Sequence, residues 1–252
     1  MNHIEEMDIY TQKAQKCLEL AEDLFYSQNE KLSEIIDKNQ KNSQRLYCNK
    51  STLQLGYFSP CPVEDLITGK SKRGKISVKK PLGKNLITYY FENNILKMAE
   101  DDIYYYLYDY SEAERIYIIS VPKNRSLNMT LCLTVCTYKD GKIIEIMSLL
   151  ANNAEMPGFP LSMPGMEMSF IKGSNDRSYM FDFTENQYSY SDGRIVALKT
   201  VKAVSFGKKL SVREYAFNYK EDFYSSYICN DTQYKISEKR RYNEFYAMPV
   251  YP

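Results

Sequence analysis

The side chains with which this chain could do chemistry are one histidine, six cysteines and 32 acidic residues. The histidine, His3, stands in a terminal stretch prone to fray. Unless it folds into the core, Ser-His-Asp and Cys-His catalysis have no base, and a single histidine argues against histidine-rich zinc sites. The cysteines, at 17, 48, 61, 132, 136 and 229, have neither the density of a disulfide scaffold nor the spacing of metal ligands. Cys132 and Cys136 lie on one face of a strand-like segment about 13 Å apart, beyond disulfide reach and too far to share one zinc without a bend. The thiols therefore read as reduced core residues. A carboxylate pair could do acid–base work with Asp, Glu and Tyr alone. Asp101, Asp102, Glu145, Glu167 and Asp182 are available, but no spacing makes any two of them partners.

A basic run offers a different chemistry. Gly69-Lys70-Ser-Lys72-Arg73-Gly74-Lys75-Ile76 begins in the manner of a phosphate-binding loop. That motif needs Ser or Thr after its Lys to hold magnesium, and a following helix whose amides face the phosphates. Here Ile76-Ser77-Val78 reads as strand and Pro81 stops a helix, so nucleotide binding is rejected. Lys70, Lys72, Arg73, Lys75, Lys79 and Lys80 still form a patch able to meet nucleic acid or an acidic protein. The plainer alternative is a solvated loop.

Three further features could serve recognition. Alternation along 103–110 places Tyr104, Tyr106, Tyr108 and Tyr110 on one face. Such a ladder of phenols can stack bases, meet a protein or simply pack across strands. The stretch 152–168 is too interrupted by Pro and Gly to be a ladder strand. Its Met156, Phe159 and Met163 would either form an adaptable binding loop or seal an open end of the core. The N-terminal stretch adds Glu19, Glu22 and Asp23 as an acidic contact.

The elements that must position these groups follow from pattern. From His3 to about Leu46 there is no Gly or Pro, and Ile4, Met7, Ala14, Leu18, Ala21, Phe25, Leu32 and Ile35 follow steps of three and four, with polar exceptions at Thr11 and Gln28. That is the stripe of an amphipathic helix, which Ser27-Gln28-Asn29 can break into a helical hairpin. Packing on the chain's own sheet is the plainer use of the stripe, and a coiled coil with a partner helix is the alternative. Residues 1–37 carry nine acids against three bases, and residues 38–84 eleven bases against two acids. This asymmetry is either neutralised within the fold or faces a charged partner. Residues 48–84, punctuated by Pro and Gly, form a transition of loops and short strands.

After residue 84 the pattern becomes strand, turn, strand. Tyr188-Ser-Tyr-Ser-Asp192-Gly193-Arg-Ile is the strongest hairpin signal, because a type I′ turn needs positive φ at both central residues. Looser copies are Tyr138-Lys-Asp140-Gly141-Lys-Ile, Phe91-Glu-Asn93-Asn94-Ile-Leu and Phe217-Asn-Tyr219-Lys-Glu-Asp. Sequential hairpins make neighbouring strands pair. The expected class is α+β, with an N-terminal helix or helical hairpin packed on a long, curved or barrel-like antiparallel β-meander. The expected segments are 1–47 helical, 48–84 basic transition and 85–252 meander, the last forming one globular unit with the helix.

With 252 residues the chain can bury a substantial core. Its 24 Tyr, absence of Trp and net charge of +1 place it among globular proteins and argue against a surface devoted to nucleic acid. The first ten residues carry three acids and no basic-then-apolar order, so a secretory signal is not expected. No run nears the apolar length of a membrane span. A soluble cytoplasmic protein that does not contact a membrane is the expectation.

The Tyr-x-Tyr-x-Asp-Gly-Arg-Ile unit at 188–195 resembles the tyrosine/aspartate hairpin repeats of Rhs-type polymorphic toxin shells, and 138–143 is a looser copy. The resemblance covers two hairpins, and the chain is too short to enclose a toxin. Helix-plus-meander chains of this size are similar to the bacterial immunity or accessory proteins of such systems. The resemblance implies a non-enzymatic protein, without metal or cofactor, that binds a protein partner and neutralises a toxin by occluding it. Its contacts would come from Glu19, Glu22, Asp23, Tyr104, Tyr106, Tyr108, Met156, Phe159 and Met163. A nucleic-acid- or ligand-binding β module built on residues 69–84, and a carboxylate enzyme, are the alternatives.

Overall fold

A computed structural model describes residues 3–26, 29–49, 51, 53–68, 73–82, 86–124, 130–154, 167–174 and 176–236. Helices α1 (His3–Tyr26) and α2 (Asn29–Asn42) come first; of the expected break, Ser27 and Gln28 lie outside the described residues and Asn29 opens α2. Strand β1 (Gln44–Asn49) follows at once, inside the stretch expected to be helical. A 3₁₀ turn (Gly56–Phe58), a short helix α3 (Glu64–Thr68) and β2 (Lys75–Ser77) make up the transition. The meander then runs through β3 (Ile87–Glu92), β4 (Ile95–Glu100), β5 (Tyr104–Asp109), β6 (Arg115–Pro122), β7 (Thr130–Lys139) and β8 (Lys142–Asn153). It continues with β9 (Ile171–Lys172), β10 (Ser178–Ser191), β11 (Arg194–Val204), β12 (Lys209–Lys220), β13 (Phe223–Cys229) and β14 (Thr232–Lys235).

All strands belong to one antiparallel sheet in the order β14-β13-β12-β11-β10-β8-β7-β6-β5-β4-β3-β1-β2, with β9 a spur on β10. From β3 onward each main-path strand pairs with its neighbour in sequence, as hairpin connections dictate. The sheet is open: no pairing joins β14 to β2, so the curved form holds and the closed barrel does not.

Both faces of the sheet are covered. On one, α1 buries Met7, Ala14, Cys17, Leu18 and Ala21 against Leu131, Leu133, Val135, Leu149, Phe181 and Phe183, with Leu32 of α2 in the same cluster. These positions alternate along β7, β8 and β10, the period-two pattern of a half-covered strand. The opposite face holds a second cluster, running from Leu46, Tyr89 and Phe91 through Cys136 and Ile146 to Tyr188, Tyr215 and Tyr227. Residues 53–67 lie on that face.

The recurrent hairpin has a physical basis beyond its turn. Asn93-Asn94 (φ 52° and 63°), Asp140-Gly141 (51° and 72°) and Asp192-Gly193 (49° and 78°) all have positive φ, as type I′ turns require. Four hairpins also carry a register shift just before the turn, at Tyr90/Phe91, Thr137/Tyr138, Ser189/Tyr190 and Asn218/Tyr219. A bulge disrupts the ladder locally, and three of these hairpins have the disruption met by a later tyrosine. Tyr110 donates its hydroxyl to the Leu96 carbonyl at 2.7 Å and Tyr190 to that of Ile143 at 2.7 Å. Tyr219 donates to the Ile195 carbonyl. Each acceptor is the return-strand residue opposite the bulge. A base from the same return strand lies over each ring: Lys97 at 5.1 Å from Tyr110, Lys142 at 5.5 Å from Tyr190, Arg194 at 5.5 Å from Tyr219. The unit Asp-Gly-Lys/Arg-Ile is thus half of a joint, whose other half is the tyrosine of a following hairpin.

Candidate functional site

Segment 53–67 has little regular structure of its own and is held by side chains from both ends of the sheet. The Tyr89 hydroxyl (β3) donates to the Leu55 carbonyl at 2.9 Å and accepts from the Tyr57 amide at 3.0 Å. This close approach needs Gly56, because a Cβ there would stand 2.5 Å from that hydroxyl. Tyr188 (β10) donates to Cys61 Sγ at 3.0 Å, and Tyr227 (β13) to the Ile67 carbonyl at 3.2 Å. Strands β3 and β13 stand nine places apart in the sheet order, about 43 Å if the sheet were flat. A thirteen-residue stretch that includes a 3₁₀ turn and most of α3 cannot bridge that distance, so the sheet curls around it.

Arg73 completes the clamp. Its guanidinium is buried and donates to the carbonyls of Ser59 at 2.9 Å, Tyr57 at 3.2 Å and Cys61. The planar fork serves three backbone acceptors of the irregular segment, of which the Cys61 carbonyl also accepts the Glu64 amide at 3.4 Å. Burial pushes the Cys61 thiol up to about 11 and the Tyr188 phenol well above its usual range. Neither is a nucleophile at neutral pH.

Between this segment and the sheet lies a cleft of about 760 Å³. Its floor is two rows of side chains crossing the strands. Thr134 (β7), Ser148 (β8), Thr184 (β10), Lys202 (β11) and Ser211 (β12) stand opposite one another in register. The adjacent row is Ile146, Asn186, Thr200 and Arg213. The wall is Gln54, Leu55, Ser59, Pro60, Cys61, Glu64 and Ile67. Thr134 and Ser148 hydroxyls lie 3.1 Å apart, Thr200 donates to Asn186 Oδ1 at 2.8 Å, and Lys202 pairs with Asp182 at 2.7 Å. The cleft thus presents neutral donors and acceptors, with Glu64 in its wall and two bases on its floor, Lys202, which is paired with Asp182, and Arg213.

On the opposite face α1 shows what became of the acidic contact. Glu19 and Asp23 are exposed, Glu19 accepting from Gln15 at 3.1 Å. Glu22 is buried and accepts the Ser174 amide at 2.7 Å. It ties the β9–β10 turn to the helix and is therefore not a contact for a partner. The same face holds a carboxylate pair. Glu185 (β10), 1% exposed, accepts from Lys13 at 2.5 Å and from Gln187 at 3.2 Å. Glu145 (β8) stands opposite Gln187. Its carboxyl is raised above the ordinary range by burial, by a hydrogen bond with Glu185 and by that residue's charge.

The tyrosine ladder does share one face, but that face is interior. Tyr106 is buried, and its hydroxyl donates to Asp101 at 2.7 Å. Tyr108 is buried with no partner for its hydroxyl among the described residues, and Tyr104 is half-buried against Tyr106. Packing against the cluster that supports residues 53–67 won over display. The basic patch is divided: Arg73 is internal, while Lys75, Lys79 and Lys80 are exposed. Lys70, Lys72, Met156, Phe159 and Met163 lie outside the described residues. Sequence reasoning missed the cleft. Its signal was the alternation Tyr188, Asn186, Thr184, Asp182 along β10, an aromatic face that turns polar toward the cleft.

Among the described residues no three His, Cys, Asp or Glu side chains are grouped to hold a metal, and no helix is long and apolar enough to cross a membrane. No family model, curated protein or solved structure matches the chain.

Proposed function

We propose that the protein works by recognition, inserting a polar segment of a partner protein into the cleft between residues 53–67 and strands β7–β12, in the manner of an immunity protein that covers its toxin. The observation that carries this reading is the cleft floor. Hydroxyl and amide side chains from five strands stand in ordered rows, partly satisfied by one another and open on one side. Such groups bind a polar chain by exchanging their hydrogen bonds, and a rigid floor keeps the ordering cost of binding low. Glu19 and Asp23 lie on the outer side of α1, across the sheet from the cleft, so reversing their charge is a control remote from the inserted segment.

The test is affinity purification from the native cell with wild type, Thr200→Trp and a Glu19→Lys/Asp23→Lys pair. A stoichiometric partner retained by wild type and by the charge reversal, and lost when Trp fills the cleft, supports the reading. A partner held equally by folded Thr200→Trp, or no partner at all, overturns it.

A second reading rests on Lys202 and Arg213, which stand on adjacent strands among hydroxyls and would suit an anionic ligand such as single-stranded nucleic acid. Salt-dependent binding of an oligonucleotide, abolished by Arg213→Ala, would select it.

A further inference from the structure

Glu185 poses a problem of satisfaction. Its Oε1 is held by Lys13 and Gln187, yet its Oε2 is buried with no hydrogen-bond donor among the described residues. A buried carboxylate oxygen left bare carries its full desolvation cost with nothing to offset it. The strand register places another acid, Glu145, opposite Gln187 and so diagonally across from Glu185 on the same face. Two ionised carboxylates cannot bond to each other, but a carboxyl and a carboxylate can, and the bond is short and strong. The strand register keeps the two side chains together, since Glu145 pairs with Gln187 and Glu185 with Met147 of the same strand pair.

We propose that Glu145 and Glu185 share one proton, carried by Glu145 and donated to Glu185 Oε2 between β8 and β10, and that helix α1, whose Lys13 reaches Glu185 and whose cover keeps water from the pair, stays docked in a proton-dependent way because it buries a second charge once that proton is lost. When the proton leaves for solvent, two carboxylates face the single ammonium of Lys13, and Oε2 loses its donor. The other groups facing the pair set the balance. Lys13 from α1 and Arg115 from β6 favour ionisation of Glu145, while Glu185 and burial oppose it. Tyr10, Cys17 and Glu6 of α1 add no cation, and the phenol of Tyr10 and the thiol of Cys17 are themselves raised, chiefly by burial. Lys199 and Glu214, in register beyond Gln187, carry opposite charges.

The sign follows from linkage. Glu145 binds its proton more tightly folded than unfolded. The stabilisation is therefore complete below the ordinary glutamate range and is lost as pH rises through the raised value. This places the loosening of α1 on the alkaline side, opposite to the usual carboxylate behaviour. The device is independent of what the cleft binds.

The test follows the Glu145 side-chain carbon in the full-length chain by carbon-13 NMR, and α1 amide exchange corrected for intrinsic rates. Wild type should show a Glu145 midpoint above the ordinary range that falls back in Glu185→Gln. Protection of α1 relative to β7 should drop with rising pH by roughly tenfold for each unit of that displacement. Glu145→Gln, which keeps an N–H for Oε2, should hold α1 protection constant. An ordinary Glu145 midpoint, indifferent to Glu185→Gln, would overturn the proposal, as would the same pH dependence in Glu145→Gln. If either variant fails to fold, the wild-type midpoint decides alone.

Discussion

Replacing two tyrosines by phenylalanine should move stability in opposite directions, because the fold treats their hydroxyls differently. Tyr190→Phe keeps the ring under Lys142 and removes only the 2.7 Å bond to the Ile143 carbonyl at the β7–β8 bulge. A lost hydrogen bond costs about 1 kcal/mol, and a half-buried acceptor without its donor adds to that, so about 1.5 kcal/mol is expected. For a chain of this size the midpoint of thermal unfolding should fall by roughly 3–6 °C. Tyr108→Phe removes a buried hydroxyl that has no partner among the described residues. The desolvation penalty it carried disappears, so stability should hold or rise by about 1 kcal/mol. Calorimetry and urea unfolding on wild type and both variants would read a gap of about 1.5–2.5 kcal/mol between them. Equal effects, or a loss at Tyr108 matching that at Tyr190, would refute the reading of the hairpin joint. Tyr110→Phe, whose hydroxyl meets the Leu96 carbonyl, should repeat the Tyr190 result.

Other consequences can be checked with ordinary methods. Arg73→Lys should cost about 2–4 kcal/mol by urea unfolding, because a single ammonium cannot serve the carbonyls of Tyr57, Ser59 and Cys61 together. Fluorescence or proteolysis should show residues 53–67 loosening first. Gly173→Ala should lose about 1–3 kcal/mol, since its Cβ would stand 2.4 Å from the Glu22 carboxylate and 2.7 Å from the Tyr179 ring. A neutral outcome would mean that Glu22 does not pin that turn. Alkylation of Cys17 and Cys61 by iodoacetamide should be negligible at pH 8, because burial lifts both thiols to about 11. Their raised values also mean that the stability they contribute is intact below the unfolded thiol range and is lost as pH climbs toward 11.

The architecture was readable because its instructions are local. Asp192-Gly193 and Asp140-Gly141 name their turns, alternation names the strands, and the three-and-four spacing on either side of Ser27-Gln28 names the helices. The helix boundary at Asn42 was harder, since Gln44–Asn49 is a strand only because β3 and β2 receive it on either side. Alternation correctly put the tyrosines of β5 on one face, but it cannot say which face is covered. That depended on residues 53–67 folding back across the sheet, a long-range event fixed by Arg73, Tyr89 and Tyr227. The same blindness hid Arg73 inside a basic run and Glu22 inside an acidic one. The cleft floor is written across five strands whose residues are up to 80 positions apart, and only the register brings them together.

The central claim is that this floor recognises a polar segment of a partner. It is tested most directly by labelling threonine and isoleucine methyls and adding the captured partner. The account predicts that shifts centre on Thr134, Thr184, Thr200 and Ile146 and vanish in Thr200→Trp. Shifts confined to other surfaces, with these four methyls unmoved at saturation, would contradict it.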